Sequence, residues 1–243
     1  MTEIRPIQLG FDTCYVLRDA GIVVVDAGQP NKGRAFLRGL SRAAITPEEV
    51  GLILLTHAHW DHMGSAAEIK KLTGATLAVH EKEVDWVEHG NPPLPPGVTT
   101  WGRIFMAAHR LVMPLIDVPP AEVDRALPDE TSALQEFGIP GRVIPTPGHS
   151  PGSISVLLDT GEVFVGDLAM NRFPLTLTPG LPIFADDLHR VVESWRRLVE
   201  LGAQTVFPAH GKPFSIDVIR QCLIQRSEKA HEKDIQNSVD SGP

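Results

Sequence analysis

Basic residues, cysteine, tyrosine and long apolar runs are all scarce in this sequence. Lys and Arg total 22 against 30 Asp and Glu, a net charge of −8. A nucleic-acid surface needs clustered cations to meet phosphates, so nucleic acid is not an expected partner. The two cysteines, Cys14 and Cys222, lie far apart in the chain. One bridge between them is conceivable but is no disulfide framework, and free buried thiols in a reducing compartment are expected. No uninterrupted apolar run reaches the roughly 18 residues of a spanning helix, so no membrane partner is expected. Residues 1–10 lack the basic start and apolar stretch of a secretion signal. The expected location is therefore the cytoplasm, unless a leader has already been removed. Tyr15 is the single tyrosine.

A chain of 243 residues reads by default as one domain, and can bury about 70–75% of its unfolded surface without covalent staples. Short strands are expected over 4–9, 13–17 and 21–25. Val23-Val24-Val25 is continuous rather than alternating, which suits a strand covered on both faces. Asn31 is a candidate cap for a helix to about Ala43, with Ala35, Leu37 and Leu40 on or near its inner face. Thr46-Pro47-Glu48-Glu49 reads as a capped single turn. A strand at 52–55, a helix over 63–72, a strand at 77–79 and a helix over 81–88 follow. Strands alternating with helices indicate α/β layers.

Residues 90–122 break that rhythm. A proline-rich opening leads to a predicted helix over 100–113, with Ile104, Ala108, Leu111 and Leu115 at helical spacing and Trp101, Phe105 and Val112 beside them. This segment reads as a lid or a dimer contact rather than ordinary core. His89 and His109 within it read as structural or exposed. Strands at 142–144, 153–158 and 163–165, a helix over 187–201, a strand at 205–207 and a helix from 216 to about 231 complete the chain. The organisation expected is one domain over 1–226, with the 90–122 insertion, and a mobile polar tail over 227–243. The order of elements suggests two related halves.

Three imidazoles and a carboxylate fall within His57-Ala58-His59-Trp60-Asp61-His62, directly after the apolar run Leu52 to Leu55. Neutral imidazole is the commonest metal ligand among side chains. Mixed nitrogen and carboxylate donors suit zinc, and also iron or manganese. Residues two apart in an extended segment point the same way, so His57 and His59 can grip one ion. Asp61 and His62 fall where the chain turns into a helix, point elsewhere and can reach a second ion. Three later residues also stand directly after a strand or tight turn: His149 in Pro147-Gly148-His149, Asp167 after Phe164-Val165-Gly166, and His210 before Gly211. Asp26, at the end of the Val23–Val25 strand, reads equally as a strand-ending turn or as a brace for the site.

His-x-His-x-Asp-His after a hydrophobic strand resembles the signature of the metallo-β-lactamase-fold hydrolases, and the later residues extend the likeness from Asp26 to Gly211. The resemblance implies an αββα sandwich, with two mixed β-sheets packed face to face and helices on both outer faces. It implies that His57, His59 and His149 hold one ion, that Asp61, His62 and His210 hold another, and that Asp167 bridges them. Asp26 would brace the site without ligating. The cofactors implied are two Zn2+ per chain, with Fe or Mn as alternatives. A hydroxide between them would attack a carbonyl or phosphoryl centre, with Asp61 orienting it and passing a proton to the leaving group.

Departures from particular branches narrow the expectation. True β-lactamases of the superfamily lack the bridging Asp, whereas this chain offers Asp167. Flavin-linked di-iron members carry Glu where His59 stands. Glyoxalase-II-type thioesterases append a helical domain, for which the residues after His210 are too few. Many acyl-homoserine-lactone lactonases place a Tyr shortly after the bridging Asp, and residues 168–174 contain none. The walls of the pocket are expected from Trp60, Phe105 and the helix around it, Arg172, and the proline-broken run from Phe173 to Phe184. Arg172 and Lys212 read as anion contacts or as plain surface cations. The activity expected is hydrolysis of a carboxylic ester, lactone or thioester with an apolar portion, acting on a small molecule and possible as a homodimer. The alternatives are a phosphodiester or phosphotriester hydrolase, a mononuclear iron persulfide dioxygenase, and a metal-braced binding module without turnover.

Overall fold

The computed structural model of the protein describes residues 1–173, 175–176 and 179–240, with side chains of the last helix described as far as residue 228. Pro174, Leu177 and Thr178 of the apolar run after Asp167, and the last three residues of the polar tail, lie outside the described residues.

The first half of the chain builds one six-stranded sheet, in the order β1 (Glu3–Gln8), β2 (Thr13–Arg18), β3 (Ile22–Val25), β4 (Leu52–Leu54), β5 (Thr76–His80), β6 (Arg125–Leu127). β1 to β3 pair antiparallel and β3 to β6 pair parallel. The parallel crossovers carry α1 (Gly33–Arg42), α2 (Trp60–Met63), α3 (Ala66–Thr73), α4 (Val84–His89) and α5 (Thr100–Val112). The second half builds another six-stranded sheet from β7 (Ser132–Ala133), β8 (Gly141–Pro145), β9 (Ile154–Leu158), β10 (Glu162–Gly166), β11 (Thr205–Pro208) and β12 (Phe214–Ser215). Helices α6 (Leu188–Glu200) and α7 (Ile216–Asp240) belong to this half.

Side-chain alternation along the strands builds three layers of core. Val23, Val25, Leu52 and Leu54 of the first sheet pack against Val143, Val156 and Phe164 of the second. Val24, Ile53 and Leu77 point the other way, onto Phe36 and Leu40 of α1 and Ile69 of α3. On the far side, Leu157, Val163 and Val165 meet Val191, Trp195 and Leu198 of α6 and Ile219 of α7. The result is an αββα sandwich, and it explains why Val23-Val24-Val25 is apolar at every position. Tyr15 lies in the inter-sheet layer, where its hydroxyl donates to the Pro208 carbonyl at 2.7 Å.

Several local expectations need correction. Asn31 does not cap α1: it sits at φ 63°, and the helix starts after Lys32. Its first amides are satisfied from α3 instead, Lys32 N–H by Ser65 Oγ at 2.8 Å and Gly33 N–H by Glu68 Oε2 at 2.9 Å. Phe36 and Leu40 are the apolar side chains that α1 buries fully; Ala35 packs partly buried against the same core, and Phe36 was not among the expected residues. The helix expected over 63–72 starts earlier and breaks at Gly64–Ser65, because Ser65 turns its hydroxyl to the Gln29 carbonyl and to α1. The short strands β6, β7 and β12 were not expected. α7 runs on to Asp240, past the end expected near His231. Cys14 is free and buried, whereas Cys222 is free but only half-buried. Among the described residues no helix is long and apolar enough to cross a membrane.

Candidate metal centre

The ends of four core strands deliver the polar residues of one site at one edge of the sandwich. β3 ends in Asp26, β4 leads to His57, β10 to Asp167 and β11 to His210. His149 follows β8 in a tight turn, where Gly148 takes φ 139°. The backbone before Asp167 also turns sharply, at Gly166 with φ 53° and a break in the β10–β11 register.

These turns gather seven side chains into three overlapping groups, each with ligand atoms within 4.8 Å of one another: His57, His59 and His149; Asp61, His62 and His210; and His57, His62 and Asp167. All but Asp61 are buried, and Asp61 keeps a 17% exposed side chain. Asp167 stands between the first two groups. Its Oδ1 lies 3.3 Å from both His62 Nε2 and His210 Nε2, and its Oδ2 lies 3.7 Å from His149 Nε2.

Each of four imidazoles is held by one ring nitrogen so that the other points inward. His149 Nδ1–H donates to the Phe184 carbonyl at 2.9 Å, and His210 Nδ1–H to the Phe11 carbonyl at 3.1 Å. His62 Nδ1–H donates to Asp26 Oδ2 at 3.0 Å. His57 Nδ1 lies 3.1 Å from Thr56 Oγ1, whose own proton goes to Asp26. Such outer partners set tautomer and ring angle for ligation. Two of these contacts involve Asp26, a buried residue at φ 65°. Its Oδ1 accepts the Thr56 N–H at 2.7 Å, so one carboxylate braces two histidines of the site. An unfavourable backbone conformation held this firmly is characteristic of functional sites.

The electrostatics differ between the groups. Burial pushes His57 well below the ordinary histidine range, His59 down to about 3 and His149 also downward, so all three are neutral rings. Burial opposes charge on His62 and His210 too, but Asp26 and Asp167 outweigh it for His62, and Asp167 and Asp61 for His210. Asp167 in turn is held well below the usual carboxylate range by those two rings, against its own burial. Carboxylates here therefore attract positive charge. His57 Nε2, His62 Nε2 and Asp167 Oδ1 are buried yet make no hydrogen bond within the protein. An unsatisfied buried polar atom costs about 1–3 kcal/mol, more when charged. Inward nitrogens and a carboxylate oxygen that crowd one another without well-formed hydrogen bonds fit a divalent cation.

The centre forms the floor of a cavity of about 450 Å3, reached by His59, Asp61, His149, Asp167 and His210. Trp60, Phe105, Arg172 and Phe173 also line it. Arg172 is already engaged: its guanidinium donates to the Phe11 carbonyl and lies 5.8 Å over the Phe11 ring. Lys212 is exposed and does not line the cavity. Met106 and Phe184 line it from the expected helix and run, whereas Phe11 and Met170 line it without having been singled out.

α5 covers the cavity, but with a different face from the one its periodicity suggested. Phe105, Met106, His109 and Val112 face in, whereas Ile104, Leu111 and Leu115 are 57%, 80% and 83% exposed. His109 is thus no bystander. Its ring lies between Trp60, at 5.5 Å, and Phe105, at 6.2 Å. The spacing Phe105, His109, Val112, Ile116 was the available signal. His89, by contrast, is exposed as expected.

The family model of the metallo-beta-lactamase superfamily matches residues 8–210. The chain belongs to the metallo-β-lactamase superfamily. Within it, the "Probable metallo-hydrolase YflN" of Bacillus subtilis is 26% identical over 222 residues, covering 85% of this chain and 81% of that protein. An archaeal superfamily protein from Sulfolobus tokodaii has a solved structure that matches with a TM-score of 0.64 at 24% identity, covering 93% of this chain and 86% of that one. A subclass B3 metallo-β-lactamase of Bradyrhizobium japonicum matches with a TM-score of 0.62 at 21% identity, covering 98% and 94%. At such identities the structural matches establish the metallo-β-lactamase fold and not a substrate.

Proposed function

We propose that this chain is a metal-dependent hydrolase that holds two cations, zinc by the chemistry of its donors, and cleaves a carboxylic ester, lactone or thioester with an apolar portion. The observation that carries the reading is Asp167, whose two oxygens face different histidine groups on the floor of an otherwise apolar cavity. His57, His59 and His149 would hold one ion, Asp61, His62 and His210 the other, and Asp167 both. When bound, such ions supply hydroxide at neutral pH and stabilise negative charge on the reacting centre.

The remaining work falls to the protein. Asp26 and the Phe11 and Phe184 carbonyls keep the rings aimed. Asp61, open to the cavity, would orient the nucleophile as a carboxylate, take up the proton that the attacking oxygen carries and pass it to the departing oxygen or sulfur. Phe105, Met106, Val112 and Phe184 seat the apolar part of the substrate and exclude bulk water. Among the described residues Arg172 is the only Lys or Arg lining the cavity, and it is tied to Phe11. The mostly apolar lining favours a substrate with an apolar portion.

A panel of lactones, thioesters, esters and phosphoesters, given to the metal-loaded protein, tests the reading. Turnover of acyl substrates with apolar chains is expected; turnover confined to phosphoesters would overturn it, as would one iron per chain with oxygen consumption on a persulfide. Phe105→Ala should lower kcat/KM for long-chain substrates by roughly tenfold or more, through KM, because burying a Phe-sized surface is worth about 1.5–3 kcal/mol. Short-chain substrates should change little. Equal losses for both would show that Phe105 does not contact the chain.

A further inference from the structure

Glu83 is fully buried, belongs to none of the three His/Asp groups and does not line the cavity. It sits in the turn after β5, and its carboxylate accepts three hydrogen bonds. Oε2 takes the Ala58 N–H at 2.5 Å. Oε1 takes the Gly152 N–H at 2.8 Å and the Ser150 hydroxyl. Ser150 is fixed further by Ser153, 2.7 Å away between hydroxyls. The fit is close: a Cβ at Gly152 would stand 2.8 Å from Glu83 Cγ and 2.9 Å from Oε1.

The partners of this carboxylate are informative. Ala58 is the residue between His57 and His59, on a loop of the first sheet. Ser150 and Gly152 follow His149, on a loop of the second. The three imidazoles of the first group come from these two loops alone; His149 Nε2 lies 3.0 Å from His59 Nδ1 across them, and Glu83 ties the backbone of one loop to the other from behind. Its bond to the His57–His62 stretch is made at Ala58, between the two histidines of the first group, and it makes no hydrogen bond to Asp61, His62 or His210 themselves. A buried carboxylate is expensive unless its acceptors are filled. Here every bond it accepts comes from a residue flanking one ligand set.

We infer that Glu83 is a positioning residue that sets the spacing between the His57/His59 loop and the His149 loop, and so the affinity of one of the two cation sites. The inference rests on the binuclear reading above. Partners just outside the ligands commonly change metal affinity by about 10–100-fold.

Glu83→Gln is the sharp test, because it keeps the shape and removes one acceptor. Whichever way the amide lies, its NH2 faces a donor, either Ala58 N–H or the Ser150 and Gly152 pair. Wild-type and variant are loaded with Zn2+ or Co2+ and dialysed against graded chelator, with ions per chain, melting temperature and the Co2+ visible spectrum recorded. The variant is expected to release one ion at roughly 10–100-fold higher free-metal concentration than wild-type, while the second ion stays at its wild-type affinity. His149→Ala should lose the same spectral component. Two ions held with wild-type affinity would overturn the inference, as would loss of both ions in step with a lower melting temperature, which marks general loosening. Should Glu83→Gln fail to fold, Ser150→Ala removes a single donor, and an unchanged affinity there would also overturn it. A wild-type protein that binds no metal would instead sink the binuclear reading itself.

Discussion

Replacing Asp167 with Ala is expected to reduce bound metal from two ions to one and to cost at least about 10²-fold in kcat/KM, with the fold retained. A catalytic metal ion supplies several kcal/mol of transition-state stabilisation, and about 1.4 kcal/mol is one decade in rate. Asp167 is placed to matter to both ions, since its oxygens lie 3.3 Å from His62 and His210 on one side and 3.7 Å from His149 on the other. Its removal also leaves His62 and His210 facing one carboxylate fewer in a buried setting. Metal analysis and steady-state kinetics on the same preparation check this outcome. Full activity with two ions would show that Asp167 bridges nothing.

Gly166→Ala should be as damaging, by a different route. The residue adopts φ 53°, and an added Cβ would stand 2.3 Å from Thr56 Oγ1 and 3.4 Å from His57 Nδ1. Thr56 cannot retreat without releasing Asp26, which it bonds through both amide and hydroxyl. Left-handed backbone costs a non-glycine residue about 1–2 kcal/mol, and an overpacked contact adds about 1–3 kcal/mol. A destabilisation of roughly 3–4 kcal/mol lowers the melting temperature by about 6–16 °C in a domain of this size. Activity should fall further than stability alone explains, because the displaced atoms aim His57 and Asp167. Thermal unfolding and kcat measured well below the transition separate the two effects. A variant with unchanged melting temperature would mean that the Thr56–Asp26–His57 arrangement yields easily.

What could be read from the amino acids was whatever depends on local order. The His57–His62 cluster, the strand-terminal Asp167 and His210, and the uninterrupted valines of β3 each carry their meaning within a few residues. Asp26 was ambiguous because a strand-ending Asp looks the same whether or not a histidine stands behind it; only the 3.0 Å contact to His62 decides. α5 was misjudged because apolar residues lie on two sides of it. Periodicity identified a helix but could not say which stripe, Phe105–His109–Val112 or Ile104–Leu111–Leu115, meets the cavity. The break at Gly64–Ser65 depends on Ser65 serving an element more than thirty residues earlier in the chain. Glu83 was invisible for the opposite reason: Glu81-Lys82-Glu83 resembles a solvated charged turn, and the three donors that give it a role come from residues 58, 150 and 152.

Seven side chains from both halves of the chain are proposed to hold two cations on which turnover depends. Stripping the protein with a chelator and restoring metal stepwise, while counting bound ions and following hydrolysis of an apolar ester or lactone, tests it most directly. Activity should vanish on stripping and return as occupancy approaches two ions per chain. Undiminished hydrolysis by the stripped protein, or saturation at zero bound ions, would contradict it.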